Sequence, residues 1–372
     1  MGIKDQKAIC DFGADFILEQ INALNKQIDG ALIGEDIEFI HQLRVASRRL
    51  RNGLALFNSC LPKKKGKTWQ DQIRKVTKSL GKARDLDIQI DLISQLNLMT
   101  MDKSFTPGYD RLLLRLSQQR EKAQASVNKA LEQLRQSQVL EKMADHLAEL
   151  ASENKTTGRY APALYQKAYD AIHSRLADFL DFEQYIDDEE NIEKLHAMRI
   201  AGKHLRYTLE IFAPIYDTNL LPHIRAMKEV QDLLGVLHDN DVWIEWLPRF
   251  IQQEKERITE FHGHAASMEM LLPGLHHLIE DRKQSRARDY QMFLQIWETL
   301  NYEQAWDVLN QIIRDPIQHG MMVKAQTQSE PSYATQNDPA QGSTQEFQVE
   351  LTEEDIDYEV QDPEDQLPDN PW

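Results

Sequence analysis

Apolar residues recur three and four positions apart along almost the whole stretch from Lys7 to Ile317, as at Leu112 and Leu116, Leu131 and Leu134, and Met292, Ile296 and Leu300. That period marks helices with one buried face. Turn signals interrupt it at Asp29-Gly30, Leu61-Pro62, Thr106-Pro107-Gly108, Lys155 to Gly158, Ala213-Pro214, Leu221-Pro222 and Pro273-Gly274, which are helix-sized intervals. The body is therefore predicted to be all-α. After Lys324 the period is lost and Gln, Ser, Thr, Pro, Asp and Glu dominate. Such a segment buries too little surface to offset its ordering entropy, so residues 325–372 are predicted to be a disordered acidic tail.

Within the helical body the sequence repeats itself. His41-Gln42-Leu43-Arg44-Val45-Ala46-Ser47-Arg48-Arg49-Leu50-Arg51 aligns with His196-Ala197-Met198-Arg199-Ile200-Ala201-Gly202-Lys203-His204-Leu205-Arg206, and each copy continues to a phenylalanine, Phe57 and Phe212, at the same distance. A second match sets Leu80-Gly81-Lys82-Ala83-Arg84-Asp85-Leu86-Asp87 against Leu234-Gly235-Val236-Leu237-His238-Asp239-Asn240-Asp241, with a base, Arg74 or Lys228, six residues before each leucine. Repeats of residues 1–158 and 159–320 are expected to carry the fold.

On a helix of about 100° per residue, His41, Arg44, Arg48 and Arg51 share one side, at roughly 0°, 300°, 340° and 280°. His196, Arg199, Lys203 and Arg206 fall at the same angles. Phe39, Leu43, Ala46, Leu50, Leu54 and Phe57 lie opposite in the first copy, as do Ala201, Leu205, Leu209 and Phe212 in the second. Each helix is thus expected to bury its apolar face and present a basic stripe about 15 Å long on the other. Like charges one turn apart repel, and no acid interleaves them. The stripe reads as a row of donors for a polyanion, with Arg offering a planar two-pronged fork and Lys a mobile point charge.

Charge distribution supports this. The net charge is −17, but 13 of the 60 acids lie after Lys324, where no base occurs. Between His41 and Asp87 the sign reverses, with 13 Lys and Arg against three Asp. Between His196 and Asp241 five bases face six acids, so the second half of any basic site is weaker.

The paired motifs resemble the CHAD family, the conserved histidine α-helical domain, whose two repeats each begin with His-x-x-Arg-x-x-x-(Arg/Lys)-x-x-Arg; the resemblance covers about Lys7 to Gln318. It implies two antiparallel helical bundles related by a pseudo-twofold, with a basic channel between them that binds inorganic polyphosphate and directs the protein to polyphosphate granules. Carried over by position, the binding residues would be His41, Arg44, Arg48, Arg51, His196, Arg199, Lys203 and Arg206. Arg74, Lys78, Lys82, Arg84 and Lys228 would line the same surface. Arg282, Lys283, Arg286 and Arg288 match a later basic helix of the family more loosely. The triphosphate-tunnel domain that often accompanies the family starts with Glu-x-Glu-x-Lys, and that motif does not occur here, so nothing implies hydrolysis.

Other chemistry is weaker. Glycine and proline together fill 28 of 372 positions, too few for an all-β chain. No stretch approaches 18 uninterrupted apolar residues and the N-terminus lacks an apolar signal region, so no membrane association is expected and the protein is placed in the cytoplasm. The two cysteines, Cys10 and Cys60, have no motif around them and are expected to be reduced thiols. Gly66-Lys67-Thr68 lacks the first glycine and the strand of a phosphate loop. His262, His264, His276 and His277 lack the spacing of a zinc helix and read as surface or capping residues. Cations around His41 and His196 oppose a metal there. Asp85, Asp87, Asp239 and Asp241 sit beside Arg84 and His238, and are expected to orient those bases. The run Asp187-Asp188-Glu189-Glu190 suits the N-terminus of the helix that follows. The protein is thus expected to be a non-enzymatic binder with no cofactor, catalytic residue or metal. Nucleic acid is disfavoured because no aromatic interleaves the motif, and a metal-dependent phosphohydrolase because no ligand cluster is present. The tail reads as solubilising, with competition for the basic site as the alternative.

Overall fold

A computed structural model describes residues 3–150, 161–216 and 219–327. Among these residues are ten α-helices, three short 3-10 turns and no strand. In chain order the helices are α1 (Ile3–Ile33), α2 (Ile37–Leu56), α3 (Lys63–Met99), α4 (Thr106–Ser137), α5 (Val139–Leu150), α6 (Pro162–Leu180), α7 (Ile192–Phe212), α8 (Leu221–His262), α9 (Met268–Tyr302) and α10 (Ala305–Thr327). The expected turn at Lys155 to Gly158 and the repeat boundary at 158 fall in 151–160, outside the described residues. The tail predicted from 325 starts too early, because α10 continues its helical hydrogen bonding to Thr327; residues 328–372 lie outside the described residues.

In the first half α1 packs on α2, α2 on α3, α3 on α4, and α5 against α1; in the second, α6 packs on α7, α7 on α8, α8 on α9, and α10 against α6. The halves meet through α4 and α9, α1 and α6, and α2 and α7. Their apolar faces merge in one core that runs from Ile9 to Ile313. Leu43, Ala46, Leu50 and Leu54 of α2 and Phe57 just after it enter it, with Leu205, Leu209 and Phe212 of α7. Phe39 does not: it remains 36% exposed, because its ring lies against the backbone of Gly30 at the end of the bundle.

Two expected breaks are not breaks. Asp29-Gly30 lies inside α1, and the chain turns instead at Gly34, whose φ of +73° is left-handed backbone that glycine adopts without a Cβ clash. Pro273-Gly274 lies inside α9, near its start, where proline forfeits a single helical hydrogen bond. The pair serves packing instead. A Cβ on Gly274 would stand 2.1 Å from the Phe105 carbonyl oxygen, and one on Gly108 would stand 2.5 Å from that of Leu271, so the start of α4 and α9 touch backbone to backbone. Farther along α4, Arg115 donates from Nε to the fully buried Glu254 of α8 at 2.7 Å.

The cysteines are not free thiols. Cys10 on α1 and Cys60, which ends the 3-10 turn Asn58–Cys60, are joined by a disulfide with Cα atoms 5.4 Å apart. The expectation of reduced thiols fails because residues 50 apart in sequence become neighbours only when α1 lies along α2.

Candidate functional site

The start of α2 is set by Asp36, whose Oδ1 accepts from the Glu38 N–H at 2.8 Å. The start of α7 follows the acidic run and Asn191. From these starts the 3.6-residue period carries each motif along its helix, and α2 lies against α7. The stripes are therefore turned into the protein. His41, Arg44 and Arg48 are buried on α2, as are Arg199, Lys203 and Arg206 on α7; Arg199 is 0% exposed. Arg51 and His196 are half-buried. A helix considered alone has one apolar face and one free face, but here the second face of α2 is covered by α3 of its own half, at Arg44, and by α7 of the other, at Arg48.

The acids missing from the two motifs come from α3 and from the end of α7. Arg44 Nη2 stands 3.9 Å from Asp85 Oδ1 of α3, an ion-pair distance too long for a hydrogen bond. Gly81 of α3 leaves the room: a Cβ there would lie 3.1 Å from Arg44 Nη1. Arg49 of α2 donates to Glu210 of α7 at 3.2 Å, and Arg206 Nε lies 3.7 Å from the same carboxylate. Tyr207, one residue beyond the last base of the second motif, has Arg48 of α2 at 5.4 Å and Arg206 at 5.2 Å from its ring centroid, so one aromatic ring holds a guanidinium from each half. Below it Phe12 stacks on Phe212 at 5.9 Å, and Phe57 meets Phe212 edge-on at 6.2 Å.

The four aspartates do not orient Arg84 and His238 as expected; three of them pair with cations on neighbouring helices, and Asp239 has Arg199 only as a nearby charge. Asp85 faces Arg44, Asp87 accepts from Arg120 Nε of α4 at 2.6 Å, and Asp241 pairs with Arg286 of α9. Arg84 acts on Asp87 only as a more distant charge. Burial raises the Asp87 carboxyl above the usual range, opposed by Arg120. Burial likewise raises Asp241, opposed by Arg286. Asp239 is raised to about 8, first by burial, with Arg199 opposing and Asp85 adding to it. His238 is pushed down to about 2 by burial and then by Arg199 and His196, whose ring lies 4.0 Å away, so it stays neutral.

The remaining predicted residues separate into two groups. Arg74, Lys78 and Lys82 stand on the exposed side of α3, with Arg84 half-buried there and Lys228 half-buried on α8. Arg282, Lys283 and Arg286 of α9 are committed elsewhere. Arg282 donates to Asp281 and Asn240, Lys283 reaches Glu280 at 2.8 Å, and Arg286 donates to Asp241 and the Glu189 carbonyl. Arg288 is exposed. His277 shares a 2.7 Å hydrogen bond with the Tyr109 hydroxyl and stacks on Phe105, while His264 Nδ1 accepts from the Ala266 N–H at 3.4 Å. Among the described residues no group of three or more His, Cys, Asp and Glu side chains is placed to hold a metal ion, and no helix is long and apolar enough to cross a membrane.

Sequence reasoning missed Arg49, Glu210, Tyr207 and Arg120. The available signal was a departure between the copies: where the second has Tyr207 and Glu210, the first has Asn52 and Ala55.

A family model described as the CHAD domain matches residues 15–248. Among solved structures, the crystal structure of the CHAD domain from the plant Ricinus communis is 22% identical, covering 72% of this chain and 91% of that one, with a TM-score of 0.48. PptA from Streptomyces chartreusis is 18% identical, covering 76% of this chain and 99% of that one, with a TM-score of 0.46. No curated protein matches the chain.

Proposed function

The chain belongs to the CHAD domain family, and we propose that it binds inorganic polyphosphate between α2 and α7 without carrying out chemistry on it. The observation that carries this reading is the convergence of Arg44, Arg48, Arg199, Lys203 and Arg206, each 7% exposed or less, from two helices in different halves of the chain. Burying long cationic side chains is costly unless anions accompany them. Asp85 and Glu210 meet some of that requirement, and a chain of phosphates meets it along the whole row. Arg74, Lys78 and Lys82, exposed on α3, offer the approach. The two bundles expected from the family resemblance, 1–158 and 159–320, would each contribute one wall, and recruitment to polyphosphate granules would follow from the same binding.

Tyr207 argues against single-stranded nucleic acid as the ligand. It is the aromatic that sequence reasoning found absent from the motif, but it is buried and engaged by two guanidiniums, so its face does not stack a base.

The test is a calorimetric titration of the full chain with long-chain polyphosphate at two salt concentrations, beside single-stranded DNA of equal charge. Binding is expected to weaken steeply with salt, by analogy with counterion release from nucleic acid, and to be lost in Arg44→Ala/Arg199→Ala. Equal binding of both polymers would reduce the site to a general polyanion surface, and phosphate release would overturn the non-enzymatic reading.

A further inference from the structure

At the centre of the site the cations of the two motif helices meet carboxyls that belong to neither helix. Arg44 and Asp85 face one another across 3.9 Å with side chains 6% and 8% exposed. Asp239 is the residue that the repeat sets in the place of Asp85. Its Oδ1 touches no solvent and accepts no hydrogen bond from the described residues, and it lies in the fields of both Arg199 and Asp85. Two buried carboxyls and two buried guanidiniums, one of each from either half, thus lie close enough for their charges to act on one another.

We propose that Asp85 and Asp239 are the site's own counter-ions, and that an entering polyanion takes over Arg44 and Arg199 as this carboxyl pair takes up a proton from solvent. The inference rests on the polyphosphate reading and adds a proton to it. A carboxylate beside a bound phosphate chain faces a like charge in a poorly solvated place, which favours its neutral form. In the step, one solvent proton adds to one carboxylate oxygen and no other bond changes.

The surrounding charges fit this assignment. From α7, Arg199 acts on Asp239 as an opposing charge, and His196 lies against His238. From α3 come Asp85 itself, Arg84 and Asp87, the last held by Arg120 of α4. From α9, Arg286 is committed to Asp241, and Arg282 to Asn240 and Asp281. His238 is held neutral far below the working range, so it contributes no proton there. Asp239, raised to about 8, is mostly protonated at pH 7 and charged at pH 9. Below that value Arg199 is already available; above it, binding has to drive the uptake. By linkage, uptake of one proton makes affinity fall about tenfold per pH unit.

The experiment is calorimetry of the full chain with long-chain polyphosphate at pH 7 and pH 9, each in two buffers of different ionisation enthalpy. Dextran sulfate serves as a second probe, because its charge is constant over that range. Close to one proton taken up at pH 9, little at pH 7, and loss of the uptake in Asp239→Asn is the expected result, with an affinity in that variant that no longer changes with pH. Binding at pH 9 without buffer-dependent heat would overturn the counter-ion role, as would uptake that survives Asp239→Asn and disappears in His196→Asn. Should Asp239→Asn not fold, the wild-type heats with dextran sulfate decide the matter alone. A wild-type chain that binds neither polymer at either pH would remove the polyphosphate reading as well, whereas binding without proton uptake removes this inference only.

Discussion

The sequence repeat pairs Cys10 with Tyr165 and Cys60 with Ile215, and the two halves fasten that joint differently. In the first half α1 is tied to the 3-10 turn after α2 by the Cys10–Cys60 disulfide. In the second, α6 is tied to the 3-10 turn Ala213–Ile215 after α7 by one hydrogen bond, from the Tyr165 hydroxyl to the Ile215 carbonyl at 2.8 Å. Each link reaches the last residue of its turn, directly behind the end of a motif helix. The requirement is therefore mechanical: the helix that carries the bases must be held to its neighbour at the end where Phe57 and Phe212 meet. A covalent bond and a hydroxyl both satisfy it, at very different strengths.

Charge differs between the halves as well. Arg74, Lys78 and Lys82 of α3 are exposed, but the aligned positions on α8 are Lys228, Asp232 and Val236. In the proposed polyphosphate site the first half would thus supply the approach for the anion. The second contributes the most deeply buried base, Arg199, and the ring of Tyr207 that holds arginines from both halves.

The largest effect should come from opening the covalent joint. Cys10→Ser/Cys60→Ser releases a closed loop with a sequence separation of 50. By the chain-entropy relation it should lower stability by about 4 kcal/mol. Denaturant titration measures this; a loss below about 1 kcal/mol would show that the two joints are equivalent. Next, Arg74→Ala/Lys78→Ala/Lys82→Ala should leave the melting temperature nearly unchanged, since exposed substitutions usually stay within about 0.5 kcal/mol. The same triple change should flatten the salt dependence of polyphosphate binding by about 2 in log–log slope, taking the single-strand value per contact. The aligned change in the second half, Lys228→Ala, should move that slope by less than 1, and equal effects would refute the asymmetry. The smallest effect belongs to Tyr165→Phe, expected to lower stability by about 1 kcal/mol through one lost hydrogen bond.

The amino-acid sequence by itself determined the helical class, the two motif helices, their apolar faces and the identity of the bases, because each depends on local periodicity and on the alignment of two copies. Its errors share one cause. The breaks at Asp29-Gly30 and Pro273-Gly274 were judged by local propensity, and packing overrode it: α1 runs on to Gly34, and Gly274 is needed where α9 meets α4. The cysteines and the partners of Asp85, Asp87 and Asp241 depend on which helix lies against which, as does the burial of the basic stripes. Only the tertiary structure decided those, since Asp85 reaches Arg44, Asp239 enters the field of Arg199, and Tyr207 collects Arg48 and Arg206 only once α2, α3, α7 and α8 are packed together. A period of 3.6 tells which residues share a face, and carries no information about what that face will meet.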